Sequence, residues 1–480
     1  MTPRLWRIAI VVILGAIMSV LDTTIVNVAL QTLSKDLHTS LDGIQWVVTG
    51  YLLALAAVIP VSGWASARFG ARRMYLISIV LFTLGSLLSG LAWSAETLIG
   101  ARVLQGLGGG MIMPIGQMIL VRASGPRNMA RIMSAIGIPI ILAPVFGPTL
   151  GGLLVEHAGW QWIFFVNLPI GVAAVFAALR LLPNEPGSPA AAGRLDAQGL
   201  ALVATGLVGI TYGLAQSGSA GSLTAASVLA PLLIGVVLVA AFVVRALRID
   251  NPLLDVRLYA NKAFASASVT MFALGAALFG AMVLMPLYFQ TVRGEDAVAT
   301  GLLIAPQGIG AAFAMGLSSR VVERFGGGLT SLVGGLITLV ATVPFLLITD
   351  QTSYWLISAA MIVRGFGIGM SMMPSMTAAY AVLRPDQINT ATPQLNVLQR
   401  VGGSIGTAIL AVVLQSGINN LGRPTPAGVA GAFADTYVWV LAISFVALLP
   451  TIVLTMVERR ARAEHATHAV PADAVVEAAA

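Results

Sequence analysis

Long apolar stretches separated by short polar segments fill most of the chain. Fourteen of them have about 20 residues or more, so each, as a helix rising 1.5 Å per residue, can cross a hydrocarbon core of about 30 Å. Helices satisfy their own backbone hydrogen bonds, which lipid cannot do. The pattern predicts an all-α integral membrane protein with fourteen transmembrane helices, which span 7–31, 44–66, 74–94, 97–121, 132–155, 161–182, 197–216, 224–247, 264–290, 299–321, 329–349, 354–380, 393–417 and 434–457.

The composition excludes a soluble protein of this length. Of the 480 residues, 58% are hydrophobic and only 9% are charged, and the mean hydropathy is +0.92. A soluble globular domain usually carries about 25% charged residues. No stretch is long and polar enough for a soluble signalling domain either, which excludes a membrane-bound sensor.

The net charge of +7 reports topology and does not indicate a nucleic-acid partner. If the N-terminus is cytoplasmic, twenty Lys and Arg residues fall in inside segments, whereas only Lys35, Arg293 and Arg423 fall outside. This distribution obeys the positive-inside rule and places both termini in the cytoplasm. The high Arg, Ala and Gly content is typical of a bacterial source, so we expect a multi-pass protein of the bacterial cytoplasmic (inner) membrane.

Residue types used in catalysis and metal binding are missing from the predicted spans. The chain has no cysteine, and its four histidines, His38, His157, His465 and His468, all lie outside the spans. A membrane-integral enzyme would need clustered His, Cys or acidic side chains at membrane depth. We therefore predict no enzyme activity, no metal and no cofactor.

Asp22 is the only acid deep inside an apolar stretch. A carboxylate at membrane depth costs several kcal/mol and by default marks an ion or proton pathway. At 1.5 Å per residue, Asp22 lies about 12 Å and Arg102 about 9 Å below the outer surface. We expect the two to meet, directly or through water, as a proton-coupling pair; the alternative is a purely structural ion pair.

Two sequence patterns recur at nearly equal offsets. Arg68-Phe69-Gly70, after the second helix, returns as Arg324-Phe325-Gly326, and Gln105-Gly106-Leu107-Gly108 returns as Arg364-Gly365-Phe366-Gly367. The repeat predicts two parallel six-helix bundles around a central cavity with alternating access. We assign 1–182 and 263–457 to the bundles, 183–262 to a linker with inserted helices 7 and 8 and a cytoplasmic loop, and 458–480 to a disordered cytoplasmic tail.

Five stretches together resemble the major facilitator superfamily, and within it the fourteen-helix drug:proton antiporter family of multidrug efflux type. They are, in chain order, 21–30, 63–73, 102–106, 143–152 and 160–171, and the resemblance extends to about Glu458. It implies a major facilitator fold and proton-driven export, with the proton gradient as the energy source and no cofactor.

Two of these stretches are expected to control conformation. In the turn 63–73, Gly63, Arg68, Gly70 and Arg72 can cap helix ends and hold neighbouring helices together, or the arginines can simply anchor the turn inside. The family usually has an acid where Ala67 stands, and Glu323 is a candidate to replace it.

The fifth helix carries the second conformational motif. Its small residues at i, i+4 and i+8 allow close helix approach, and its prolines favour a bend. In the family this pattern indicates proton-driven export. The motif residues are Pro144, Gly147, Pro148, Gly151 and Gly152.

The predicted cavity is neutral to positive. Against Asp22 stand Arg102, Arg364 and, as a further candidate, Arg400, with no second acid. Polar and adaptable side chains can contact a substrate, although methionines also serve for packing and Arg364 can pair with backbone carbonyls. The candidate cavity residues are Asn27, Tyr51, Gln105, Gln290, Gln307, Arg364 and Met370.

These observations predict a proton-coupled secondary exporter of amphipathic small molecules. Burial favours the neutral form of a carboxyl and a nearby guanidinium favours its charged form, so a carboxyl between these effects can titrate as the cavity opens to one side. The expected partners are small amphipathic molecules, protons and the bilayer, and the chain is expected to act as a monomer. The alternative is a dedicated exporter of one endogenous metabolite, antibiotic or lipid.

Overall fold

A computed structural model describes residues 2–468, without the side chains of 41, 42, 126, 127, 138–141, 144, 145, 191, 219 and 461–468. In this part of the chain, thirteen helices are long and apolar enough to cross a membrane. They are α1 (Pro3–Asp36), α2 (Gly43–Phe69), α3 (Ala71–Gly90), α4 (Ala95–Gly125), α6 (Trp162–Leu181), α7 (Ala197–Gly218), α8 (Ala226–Arg248), α9 (Lys262–Thr291), α10 (Ala297–Phe325), α11 (Gly327–Leu347), α12 (Tyr354–Ala381), α13 (Pro385–Asn419) and α14 (Pro426–Arg460).

A fourteenth helix, α5 (126–157), follows α4 directly. The two belong to one helical stretch, Ala95–His157, which is broken at Gly125, where φ is 63° and ψ is 171°. The structure thus confirms the predicted all-α membrane fold, and it replaces the predicted loop between the fourth and fifth helices by a turn at one residue. A left-handed φ of this kind favours glycine.

The repeated Arg-Phe-Gly sequences form equivalent turns. Gly70 ends α2 with φ 90°, and Gly326 ends α10 with φ 93°. In each case the next helix begins at the following residue. Only glycine adopts this conformation without strain, so the two turns need glycine at the same place in each copy.

The two groups of six helices meet along two seams. In one, α5 packs on α10, and a Cβ at Gly301 would overlap the Thr149 hydroxyl. In the other, α13 packs on α2, and a Cβ at Gly63 would overlap the Asn389 carbonyl oxygen. Backbones approach this closely only where one partner lacks a side chain.

The inserted helices α7 and α8 lie outside the second seam. They pack on each other, with Gly206 and Gly209 of α7 against Gly235 of α8, and Arg245 Nη2 pairs with Asp196 Oδ1 at 2.9 Å. Helix α7 also contacts both α2 and α13. It therefore covers the α2–α13 seam from the outside.

The two groups are joined by hydrogen bonds at one end of the molecule, which we call the closed end. Asn396 donates to Gln117 at 2.7 Å, and Arg122 donates to Asn389 at 2.7 Å. Arg131 Nε lies 2.8 Å from Glu323 Oε1. These contacts lie where α4, α10 and α12 end and α5 and α13 begin, so the helices are drawn together at this end.

The end of α14 differs from the predicted disordered tail. The helix continues to His468, because the sequence after Met456 is rich in Ala, Glu and Arg, which favour helix. Glu458 also accepts hydrogen bonds from the backbone N–H groups of Gly327 and Gly328, which begin α11. A carboxylate there satisfies free N–H groups and fixes the start of the tail. The rest of the predicted tail, 469–480, lies outside the described residues.

Candidate functional site

Asp22 and Arg102 form a buried ion pair between α1 and α4. Arg102 Nη1 lies 2.6 Å from Asp22 Oδ2, and the two side chains are 1% and 0% exposed. The two groups, which helix rise places at similar depth, thus touch directly. Pairing compensates the cost of burying each charge, and removing either partner would leave the other uncompensated.

Two amides complete the environment of the Asp22 carboxylate. Gln105 Nε2 donates to Asp22 Oδ1 at 2.8 Å, and Asn167 Nδ2 donates to the same oxygen at 3.3 Å. Gln105 Oε1 in turn accepts from Arg102 Nη1 at 2.7 Å. Both carboxylate oxygens therefore have donors, and four side chains from α1, α4 and α6 form one network.

The Arg102 guanidinium is also held from α2. Its Nε donates to the Val47 carbonyl at 3.2 Å, and its Cζ lies 4.2 Å from the centroid of the Tyr51 ring. A guanidinium over an aromatic face gains a cation–π attraction, which is larger when water is excluded. Arg102 thus has partners on α2 and at Gln105 besides Asp22.

The ion pair ties the charge of Asp22 to the position of Arg102. Breaking a buried pair costs about 3–5 kcal/mol when the remaining charge stays uncompensated. Loss of the charge on Asp22 would therefore require a rearrangement or hydration of the Arg102 guanidinium.

A cavity of about 140 Å³ lies between the two helix groups. Asp22 itself is behind its wall, while Ser19 and Thr23, on the neighbouring turns of α1, line it. Seven methionines give much of the wall an adaptable apolar surface: Met113, Met282, Met285, Met361, Met372, Met373 and Met376. The main polar contributors are Gln117, Gln307, Asn396, Gln399 and Arg400.

Of the seven predicted cavity residues, only Gln307 lines this wall. Tyr51 and Gln105 belong to the Asp22–Arg102 network instead. Asn27 and Gln290 are exposed and lie outside the wall; the Asn27 amide donates to the carbonyl of Thr23 on its own helix. Helix depth alone does not show which way a side chain faces, and this corrects both predictions.

Arg364 and Met370 are buried within the second helix group and do not line the cavity. Arg364 Nη1 donates to Gln307 Oε1 at 3.1 Å, and its side chain borders a separate, smaller pocket with Ser371 and Ser444. Met370 packs against Gly334 of α11. Met370 therefore serves for packing, which is one of the two roles expected of methionines from the sequence.

The cavity-lining Gln117 and Asn396 were not among the predicted site residues. Gln117 lies on α4 twelve residues after Gln105, which places it about 120° around the helix from Gln105. Its spacing from Gln105 was therefore no signal for the cavity. Both Gln117 and Asn396 became known only from the docking of α13 against α4.

The turn after α2 contains both kinds of interaction expected from the sequence. Arg72 Nη2 donates to the Leu179 carbonyl at the end of α6, which places a positive charge at a helix C-terminus. Arg68 instead lies over the Trp64 ring, at 5.7 Å. A Cβ at Gly70 would lie 2.7 Å from the Glu185 carbonyl oxygen, so the linker also requires glycine here.

The small-residue face of α5 packs on α1. A Cβ at Gly147 would overlap the Thr24 hydroxyl, and a Cβ at Gly151 would lie 2.9 Å from Ile25. Gly152 faces α10 with more room. Pro148 is half-buried in the helix; Pro144 is also helical, and its side chain lies outside the described part. The motif thus holds α5 close to the helix that carries Asp22.

The comparison with known families decides the class of protein. The family model described as Major Facilitator Superfamily matches residues 12–407. The chain belongs to this superfamily. Its fourteen-helix architecture and the cavity between its two helix groups agree with the major facilitator fold expected from the sequence.

Relatives within the superfamily carry resistance names. The chain is 40% identical over 87% of its length to the "Multidrug resistance protein B homolog" of Mycobacterium tuberculosis, of which it covers 77%. It is 33% identical to the "Methylenomycin A resistance protein" of Streptomyces coelicolor, over 84% of each chain. These relatives agree with the drug-exporter resemblance of the five motifs.

A solved structure shows the same fold at low sequence identity. The crystal structure of the human organic anion transporter MFSD10 (TETRAN) superposes with a TM-score of 0.63 over 95% of this chain and 100% of that chain. The two sequences are 16% identical. The similarity therefore concerns the major facilitator fold and not the choice of substrate.

Proposed function

We propose that this major facilitator transporter is a proton-coupled exporter of small amphipathic molecules that works by alternating access. One observation carries the proposal: a buried carboxylate, Asp22, is paired with Arg102 behind the wall of a methionine-rich cavity. The resistance names of its relatives support export of toxic small molecules.

The proposed cycle starts from the observed conformation, in which the cytoplasmic side is the closed end. A proton from outside neutralises Asp22 and loosens its hold on Arg102, and the protonated form favours opening of the closed end. The substrate binds from inside, the proton is released there, and the restored ion pair favours the observed conformation. A ligand or proton shifts such an equilibrium only through its different affinity for the two states.

The proposed setting follows from the charge distribution along the chain. We place the protein in the bacterial cytoplasmic membrane with both termini inside, and we propose that the monomer is the transporting unit. Its partners are then the bilayer, protons and the exported molecule.

Transport into inside-out vesicles tests this proposal. An acid-inside pH gradient should drive accumulation of amphipathic dyes in vesicles that contain the protein, and a protonophore should abolish it. Accumulation that is unchanged by the protonophore would contradict proton coupling. Control vesicles without the protein measure passive dye binding.

A dedicated exporter of one antibiotic is the second candidate. It is favoured by the Streptomyces relative, which is named for resistance to a single compound, methylenomycin A. A panel of unrelated dyes and antibiotics in the same vesicles separates the candidates. Transport of several unrelated compounds supports the multidrug exporter, and transport of one supports the dedicated exporter.

A further inference from the structure

A second cavity lies beside the central one, at the α2–α13 seam. It has a volume of about 380 Å³ and is bordered by Leu55 of α2, Thr211 of α7 and Thr407 of α13. The inserted helix α7 forms its outer wall, where Ala215 is exposed. This side cavity therefore lies between the core of the transporter and the membrane.

The side cavity and the central cavity share two wall residues, Phe279 and Arg400. Phe279 belongs to α9, is 38% exposed, and its ring packs on Gly403, where a Cβ would lie 2.9 Å from the ring. These two side chains therefore stand between the two spaces, where a gate would lie.

Arg400 is the only charged residue that lines either cavity in the described part of the chain. Among the described residues it takes part in none of the four ion pairs. Its guanidinium can therefore bind a ligand anion without breaking an ion pair. The rest of the side cavity combines apolar residues with the hydroxyls of Thr211, Ser217, Ser404 and Thr407.

We propose that the α2–α7–α13 side cavity is a lateral passage to the bilayer, with Phe279 as its gate and Arg400 as the contact for an amphipathic monoanion. This deepens the proposed export function and rests on it. The apolar part of the molecule would move between α7 and the seam, while its charge stays on the guanidinium. An unpaired charge inside the membrane is costly, so a passage with one free cation favours an anion over a cation.

The passage is tested first by blocking it. Because the chain has no cysteine, Ala215→Cys can be labelled alone with pyrenyl maleimide, and Val237→Cys on α8 is the matched control. Val237 is 65% exposed and lines neither cavity. The readout is counterflow of anilinonaphthalene sulfonate, an amphipathic monoanion, in proteoliposomes without a pH gradient.

Labelling at position 215 should remove most of the counterflow, and labelling at 237 should leave it unchanged. Equal counterflow in the two labelled proteins would contradict the proposal that the side cavity is a lateral passage. Since counterflow needs no net proton movement, this result is independent of proton coupling. Loss of gradient-driven transport alone would concern the proposed function and not the passage.

Arg400→Gln and Arg400→Lys test the anion contact. Loss of a charge-assisted hydrogen bond should raise the KM for anilinonaphthalene sulfonate about tenfold or more in Arg400→Gln, with the KM for the cation ethidium changed much less. Arg400→Lys keeps the charge, so its KM for anilinonaphthalene sulfonate should stay closer to that of the unchanged protein. An equal effect of Arg400→Gln on both dyes, in protein of unchanged thermal stability, would show a structural role and overturn the anion contact.

Discussion

At the scale of single residues, the Asp22 network holds a buried ion pair in place with two amide side chains. Gln105 and Asn167 donate to the Asp22 carboxylate, and hydrogen bonds in a buried network reinforce one another. In the proposed cycle a proton on Asp22 loosens its hold on Arg102. Arg102 then needs other partners, which Val47, Tyr51 and Gln105 supply.

Replacement of Arg102 should change the pH dependence of transport. Arg102→Ala removes the charge that pairs with Asp22, so it should change the pH profile of transport and lower its maximum at least as much as Arg102→Lys. Lysine keeps the charge but lacks the planar guanidinium, whose N–H groups contact Asp22, Gln105 and the Val47 carbonyl. Transport rates between pH 5 and 9 measure the shift, and an unmoved profile in Arg102→Ala would show that the two groups do not interact.

The pair was predictable from the sequence and the cavity wall was not. The depths of Asp22 and Arg102 follow from helix rise alone, because each lies a known number of residues from a helix end. Which side chains face the cavity depends on the rotation and docking of each helix. Asn27 and Gln290 have suitable chemistry at suitable depth and still lie outside the wall.

At the scale of elements, hydropathy located the helices because lipid permits few other structures. It did not show that α4 and α5 are joined at Gly125, or that Glu458 anchors the start of the tail to α11. Both features depend on single residues at helix ends. The glycines of α5 were recognisable by their spacing, but their partner, α1, became known only from the packing.

The contact of α5 with α1 should tolerate no side chain at Gly147. Gly147→Ala forces a methyl group into the Thr24 hydroxyl and should destabilise the protein by about 1–3 kcal/mol, as overpacking does. Gly152→Ala is the matched control, because its Cβ would lie 3.6 Å from Ala297. Thermal unfolding of the purified variants measures the difference; equal melting temperatures for both would contradict the close packing.

At the scale of the whole molecule, the observed state is defined by contacts between the helix groups at the closed end. The Arg131–Glu323 pair is 46% and 40% exposed, so it should contribute no more than about 1 kcal/mol. Glu323, from the second copy of the repeated turn, pairs with the first half of the chain. In the first copy of the turn, Ala67 stands at the equivalent position and cannot form an ion pair. Glu323 thus supplies an ion pair between the helix groups from the second copy.

Glu323→Gln should favour opening of the closed end. The expected shift is no more than about fivefold in the equilibrium, measured as faster maleimide labelling of Met376→Cys near that end of the cavity. Asp386→Asn is the control, because its pair with Arg384 joins residues of one segment and not the two groups. The double change Arg131→Glu with Glu323→Arg should restore the original rate, and failure to do so would show that the ion pair itself is not responsible.

The charge of the cavity should limit the substrates that the protein accepts. Arg400 is the only charged side chain in the described wall of the cavity. Asp22 lies behind this wall and is paired with Arg102. Two positive charges on a substrate could not both be compensated, so monovalent quaternary ammonium dyes should be exported better than divalent dyes of similar size. Vesicle transport of matched dye pairs measures the ratio, and equal or better export of the divalent member would refute the charge argument.

The most direct test of proton coupling through Asp22 is a comparison of two transport modes in Asp22→Asn. Asparagine keeps the size of the side chain and cannot titrate. We predict that proteoliposomes with this variant still exchange labelled for unlabelled substrate, but neither accumulate substrate under a pH gradient nor move protons, followed with an internal pH dye, when a substrate gradient is applied. Proton movement or gradient-driven accumulation at the wild-type level in Asp22→Asn would contradict the account.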